Sequence, residues 1–200
     1  MRLILASQSP RRRELLESIG LPFDVVPSNV PEIHSPGESP DDYVTRLSQA
    51  KAEVVAAANR GRWVIAADTI VMLGDQLLEK PADENDARRM LSLIAGQTHV
   101  VHTGLTLQRA DVMYRQTRVA RSAVRMLPLT SDEVAWYAAT GEPLDKAGAY
   151  AVQGIGGMFI ESIDGNYTNV VGLPLALLFQ MLKSAGIDAL SLASARRRAD

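Results

Sequence analysis

The sequence predicts an α/β fold built on a mixed sheet, from three observations. Apolar runs of strand character alternate along the chain with segments that carry helix start and stop signals. Several strand-to-strand connections are short enough for hairpins, so antiparallel pairing must accompany the parallel pairing of strand–helix–strand units. No repeat or low-complexity linker interrupts the alternation.

Leu3 to Ala6 reads as a buried strand, and a helix follows at once. Ser9 is its N-cap, Pro10 suits the first helical position, Leu15, Leu16 and Ile19 form its apolar stripe, and Gly20 stops it. A second helix opens the same way at Ser39-Pro40, with Asp41 and Asp42 in its first turn and Tyr43, Leu47, Ala50 and Val54 as its stripe. Trp63 to Leu73 is a long apolar strand, turned at Gly74-Asp75 into a partner around Leu77 and Leu78. Asp83 caps a third helix with Ala87, Met90, Leu91 and Ile94 facing inward.

From Thr98 to Met126 the pattern is that of two strands flanking a bend near Asp111. Thr130-Ser131-Asp132-Glu133 is a capping box for a helix that ends at Gly141. A glycine-rich stretch, Gly148 to Gly157, precedes a hairpin expected around Asp164-Gly165-Asn166 and a helix from Pro174 to Ala185. The tail from Ala195, with Arg196-Arg197-Arg198, reads as frayed.

Composition narrows the function. Hydrophobic residues at 46% and charged residues at 22% are those of a globular domain with a real core. A formal charge of -2 speaks against a nucleic-acid or membrane-surface binder, which would want a basic excess. The absence of cysteine removes disulfides, thiolate ligands and a cysteine nucleophile. The apolar start, Met1 to Ser7, is too short for a signal core or a membrane span, so the expected location is the cytoplasm.

The chemistry-bearing residues fall into four groups. Ser7-Gln8-Ser9-Pro10-Arg11-Arg12-Arg13 sets three arginines in the first turn of a helix, where the backbone already carries partial positive charge. Each misplaced charge costs roughly 0.3–1 kcal/mol unless an anion relieves it. A phosphate chain would do so through N–H, hydroxyl and guanidinium bonds together; otherwise the arginines lie in solvent, paired with Glu14 or Glu17. Asp68, within Ala66-Ala67-Asp68-Thr69-Ile70-Val71, is a carboxylate in an apolar strand and needs a metal, a cation or good donors, or else caps a turn at the strand end. Glu32, in Pro31-Glu32-Ile33, is a second acid with the alternative of a plain loop residue.

Lys51 falls beside the stripe of the second helix, while Lys80 and Lys146 each neighbour an acid and a proline or glycine turn. All three are either ligand contacts or solvated charges. In Val152-Gln153-Gly154-Ile155-Gly156-Gly157 the glutamine can present an amide to a base edge, or the segment is only a bend between strands. Its glycines lack the spacing and setting of the dinucleotide fingerprint. No Walker loop is present, no zinc spacing joins His34, His99 and His102, and no nucleophile elbow frames a serine triad. A metal, if bound, would be held by carboxylates, hence Mg²⁺ or Mn²⁺.

Taken in order, Leu5 to Arg12, Arg46 to Ala52, Ala67 to Val71, Leu78 to Pro81, Leu93 to His99, Asp145 to Tyr150 with Gln153-Gly154, and Val170 to Pro174 resemble the Maf family. The resemblance covers Leu3 to about Leu182. It implies a two-lobed fold like that of inosine-triphosphate pyrophosphatases, with a central cleft, residues 1–190 forming one catalytic domain and 191–200 a tail. It further implies hydrolysis of a nucleoside triphosphate to the monophosphate and pyrophosphate with a divalent cation, Mg²⁺, Mn²⁺ or Co²⁺. Asp68 matches the proton acceptor, and Arg11, Thr69 and Gln153 match positions tied to substrate choice, in the form of the dTTP/UTP branch. Ser7, Arg12, Lys51, Lys80 and Lys146 match phosphate contacts.

Glu32 matches a metal-holding acid, although Pro31 stands where the family usually has another acid; the cation is expected on Asp68, Glu32 or both, so Asp68 is either the base or a metal ligand. Arg13 lies outside the motif and is assigned to the surface. Alternatives within the resemblance are 7-methyl-GTP or another modified nucleotide as substrate, and a regulatory nucleotide-binding role in septum formation. A homodimer is compatible with it.

Overall fold

The structure, a computed structural model, describes residues 1–197, with side chains through residue 194. In chain order its strands are β1 (Leu3–Leu5), β2 (Phe23–Val25), β3 (Val64–Leu73), β4 (Gln76–Leu78), β5 (Thr98–Arg109), β6 (Tyr114–Met126) and β7 (Ile160–Asp164). Its helices are α1 (Pro10–Ser18), α2 (Pro40–Ala58), α3 (Glu84–Ile94), α4 (Ser131–Ala139), α5 (Tyr167–Val171), α6 (Leu175–Ser184) and α7 (Ala189–Arg197). The strands form one sheet in the order β2-β1-β3-β5-β6-β7, with β4 on β3. β1 pairs in parallel with β2 and β3, whereas β3–β4 and β6–β7 are antiparallel, so the sheet is mixed as the hairpin signals predict.

The chain divides into two compact units. Among the described residues, the first comprises 1–68, 103–120 and 172–197, the second 69–102 and 121–171. β3, β5 and β6 are each shared between the two along their length. Each unit has its own core. In the first, Ile4, Ala6, Val64 and Ala66 of the sheet pack with Ala52, Val55 and Ala56 of α2. In the second, Met90, Leu91 and Ile94 of α3 pack with Val124, Met126, Tyr137 and Phe159.

The helix starts follow the sequence signals. The side chains of Ser9, Ser39 and Asp83 accept from the N–H three residues on, and Thr130 and Glu133 close a capping box.

Two expectations are corrected. The buried face of α2 is Tyr43, Val44, Leu47, Ser48, Lys51, Ala52, Val55 and Ala56, while Val54 is exposed. Two i,i+4 rows make that face, and its polar members are buried because they are paired: the Ser48 hydroxyl lies 2.9 Å from that of Thr106. Lys51 therefore sits inside the face, not beside it. The hairpin expected at Asp164-Gly165-Asn166 is instead a strand-to-helix turn, because the Asn166 side chain accepts the Asn169 N–H at 3.1 Å and starts α5. At the C-terminus α7 spans Ala189–Arg197, and residues 198–200 of the expected tail lie outside the described residues. Among the described residues, no helix is long and apolar enough to cross a membrane.

Candidate functional site

In the first unit a short link, residues 6–9, joins β1 to α1. The Ser7 hydroxyl, almost fully buried, accepts the Ser9 N–H at 3.1 Å and the Arg12 Nη1–H at 3.2 Å. Arg12 also donates from Nε to the Gly172 carbonyl at 2.8 Å. Burial draws its guanidinium below the ordinary arginine range, the negative charges of Asp68 and Glu32 oppose that fall, and Arg11 adds to it. No acid stands in the first turn of α1, so the cationic helix start read from the sequence is present in the fold. Arg11 is half-buried, whereas Arg13 is exposed and reaches Glu17 at 3.7 Å, as its assignment to the surface requires.

Lys51 reaches from the buried face of α2 to two acids. Its Nζ donates to Asp68 Oδ1 at 2.6 Å and to Glu32 Oε1 at 2.5 Å. Asp68 is buried on β3, while the Glu32 side chain is about half exposed (46%). Two carboxylates thus converge on one ammonium, which answers how an acid is tolerated inside an apolar strand.

Glu32 belongs to an irregular segment, residues 26–39, that is tied down from α2. Arg46 forks onto Glu38, from Nε to Oε1 at 2.6 Å and from Nη2 to Oε2 at 2.7 Å, and also donates to the Ile33 carbonyl at 2.9 Å. Gln8 bonds Asn29 at 2.9 Å from the other side. Hydrogen bonding from Arg46 holds Glu38 below the usual carboxylate range, and the same bond raises Arg46.

The second unit carries the remaining sequence-predicted residues. Thr69, next to Asp68 in β3, is half-buried, and Lys80 is exposed just after β4. Lys146 donates from Nζ to the Glu142 carbonyl at 2.7 Å and to Asp145 Oδ1 at 2.5 Å. The Gly148 N–H bonds the Glu79 carbonyl at 3.1 Å, which brings the Lys80 and Lys146 segments together. Gly148 takes φ +73 against the Val71 side chain, a conformation and a closeness that call for glycine. Gln153 is half-buried, and its Oε1 is shielded from solvent with no hydrogen-bond partner among the described residues.

Sequence reasoning missed Arg46 and Glu142 as working residues. Arg46 stands in a matched motif but reveals its partners only in the fold. Glu142 lies in Gly141-Glu142-Pro143, an acid beside a glycine turn of the kind used above to single out Lys80 and Lys146, and that signal was available.

Within the first unit, a cationic helix start and a buried acid–lysine–acid cluster have the chemistry of a phosphate-ester or anhydride site. The chain belongs to the Maf family: the family model described as Maf-like protein matches residues 2–185. A protein of Syntrophus aciditrophicus (strain SB) named dTTP/UTP pyrophosphatase is 46% identical over 92% of this chain and 90% of its own. Proteins of the same name from Koribacter versatilis (strain Ellin345) and Anaeromyxobacter dehalogenans (strain 2CP-C) are 47% and 49% identical, covering 94% and 92% of this chain and 96% and 94% of their own. Among solved structures, that of the Staphylococcus aureus Ham1 protein is similar to 63% of this chain and 72% of its own, at 15% identity and a TM-score of 0.46.

Proposed function

We propose that this protein hydrolyses dTTP and UTP to the monophosphate and pyrophosphate. The observation that carries the proposal is the convergence of Asp68 and Glu32 on Lys51 at 2.6 and 2.5 Å. Maf membership and the name shared by the relatives support the reaction and the substrate pair.

In this reading Ser7, Arg11, Arg12 and Lys51 meet the charge of the triphosphate, and Lys80 and Lys146 are further phosphate contacts. Water attacks the α-phosphorus. A new P–O bond forms, the bond from that phosphorus to the bridging oxygen breaks, and the bridging oxygen leaves with its electron pair as part of pyrophosphate. Asp68 takes the water's proton.

A divalent cation fits the donor set. Two carboxylates, completed by substrate phosphates, suit Mg²⁺, Mn²⁺ or Co²⁺, and no group of three or more His, Cys, Asp or Glu is gathered among the described residues for a closed all-protein cage. Glu32 and Asp68 would hold it, and when bound it would supply charge neutralisation and polarisation of the phosphoryl oxygens.

Thr69 and Gln153 govern base choice. The partnerless Gln153 Oε1 wants a donor, since a buried acceptor left unmade costs about 1–3 kcal/mol. Uracil and thymine offer N3–H, whereas cytosine presents an acceptor at that position. A small anionic metabolite substrate is consistent with a cytoplasmic enzyme.

The test is pyrophosphate release from standard and modified nucleoside triphosphates with Mg²⁺, Mn²⁺ or Co²⁺, using the parent protein and Asp68→Asn. Turnover of dTTP and UTP that falls about 10²-fold or more in the variant supports the proposal. Preference for 7-methyl-GTP would overturn the substrate assignment. Silence across the panel would overturn the reaction in favour of a regulatory nucleotide binder.

A further inference from the structure

The segment that presents Gln153 is fastened at both ends by one pair of side chains. The Tyr137 hydroxyl, fully buried, accepts the Ala151 N–H at 3.0 Å and donates to Glu142 Oε1 at 2.7 Å. Glu142 in turn accepts the Gly156 N–H at 2.9 Å through Oε1 and the Ile155 N–H at 3.0 Å through Oε2. Gln153 lies between the two anchors, two residues after Ala151 and two before Ile155.

The glycines show how closely the backbone is drawn in. A Cβ on Gly154 would run into the Glu142 carboxylate, and one on Gly156 would run into the Tyr137 hydroxyl and the Ala151 carbonyl. Gly154 also takes φ +97, which side chains rarely adopt. Burial pulls Glu142 upward, but the Gly156 N–H, the Tyr137 hydroxyl, the Ile155 N–H and the charge of Lys146 outweigh it and hold the carboxylate below its ordinary range. It is thus the ionised acceptor that three donors require.

We propose that Glu142 and Tyr137 are the positioning residues for base selection: together they fix the 151–156 segment so that the Gln153 carbonyl oxygen points at the nucleobase. This rests on the assignment of Gln153 to the base made above. Neither residue touches substrate. Their contribution is to deny Gln153 the freedom to turn away and satisfy itself elsewhere, which would erase the difference between a base that donates at N3 and one that accepts there.

The experiment measures kcat/KM for dTTP and CTP, and inhibition by inorganic pyrophosphate, in the parent protein and in Gln153→Leu, Glu142→Gln and Tyr137→Phe. Gln153→Leu should lower the dTTP-to-CTP ratio about 10-fold. Glu142→Gln keeps the size but sets an amide donor against one of the backbone N–H groups, and Tyr137→Phe removes both hydroxyl bonds. Each should lower the same ratio by a similar factor, mainly through KM for dTTP, while pyrophosphate inhibition stays within about twofold.

Loss on both nucleotides in equal measure, with the ratio kept, would overturn the positioning role even though Gln153→Leu behaves as expected. A ratio untouched in Gln153→Leu would overturn the base assignment and this inference with it. Should Tyr137→Phe fail to fold, judged by near-ultraviolet circular dichroism, Glu142→Gln at its half-buried position decides alone.

Discussion

Lys51 donates to Asp68 across 2.6 Å with 7% and 6% of the two side chains exposed, so the pair is sealed from solvent on both sides. The same ammonium reaches Glu32, which is half in water. Removing the lysine strands a buried carboxylate. Lys51→Met should therefore destabilise the protein by about 3 kcal/mol, read as a fall in the urea midpoint at unchanged slope. The double variant Lys51→Met/Asp68→Leu should be more stable than the sum of the two single changes, because no orphaned charge remains. An unchanged midpoint in Lys51→Met would mean that Asp68 is compensated by something else.

Arg46 governs the other acid at a distance. Its fork onto Glu38 and its bond to the Ile33 carbonyl fasten the segment in which Glu32 stands. Lysine at that position keeps the charge but cannot make the fork. If Glu32 holds a cation, Arg46→Lys should raise the Mn²⁺ concentration giving half-maximal turnover on the order of 10-fold, with little change in turnover at saturating metal. Equal metal requirement in both proteins would separate Glu32 from metal binding.

These two residues mark how far the site was legible in the sequence. Asp68 was legible because a carboxylate in the apolar run Val64 to Leu73 has to be explained by chemistry. The arginines of α1 were legible because their charge has the wrong sign for a helix start. Lys51 reads in the sequence as flanking the α2 stripe, since periodicity counts apolar residues and is blind to polar groups buried by pairing. Glu142 carries a local signal, an acid beside the Gly141 turn, but its partners do not: they lie on Tyr137, Ile155 and Gly156, and no local rule connects an acid to N–H groups more than ten residues on. Elsewhere, Asn166 reads in the sequence as a hairpin residue because the same side-chain bond that closes a turn also starts a helix.

His99 in the second unit gives a pH signature. It is fully buried, Nε2 lies 2.8 Å from the Tyr150 hydroxyl, and Nδ1 has no partner among the described residues. Burial lowers its pKa from 6.5 to about 4. The unfolded chain therefore takes up a proton between those values while the folded chain does not, so stability present at pH 7 is lost as pH falls through that window. The loss attributable to His99 is about 3 kcal/mol between pH 7 and pH 4. Urea midpoints across that range should fall less steeply in His99→Gln than in the parent. Parallel pH profiles would show that the imidazole titrates alike in both states.

Gly104 on β5 offers the sharpest test of packing in the first unit. It has no left-handed φ, so nothing in its conformation demands glycine, yet a Cβ there would collide with the carbonyl group of Val44 and lie 3.1 Å from the Ser48 hydroxyl. Backbone cannot step aside as a flexible side chain would. Gly104→Ala must therefore push α2 away from the sheet and strain the Ser48–Thr106 contact of 2.9 Å. The expected cost is about 3 kcal/mol or more, seen as a thermal midpoint lowered by many degrees or as loss of soluble protein. Gly61→Ala is the control. That glycine has φ +82 and open space around it, so alanine should cost only about 1 kcal/mol of backbone strain. Were the two variants equally stable, α2 would have room to move against β5, and the buried seat of Lys51 on that helix would be softer than its contacts indicate.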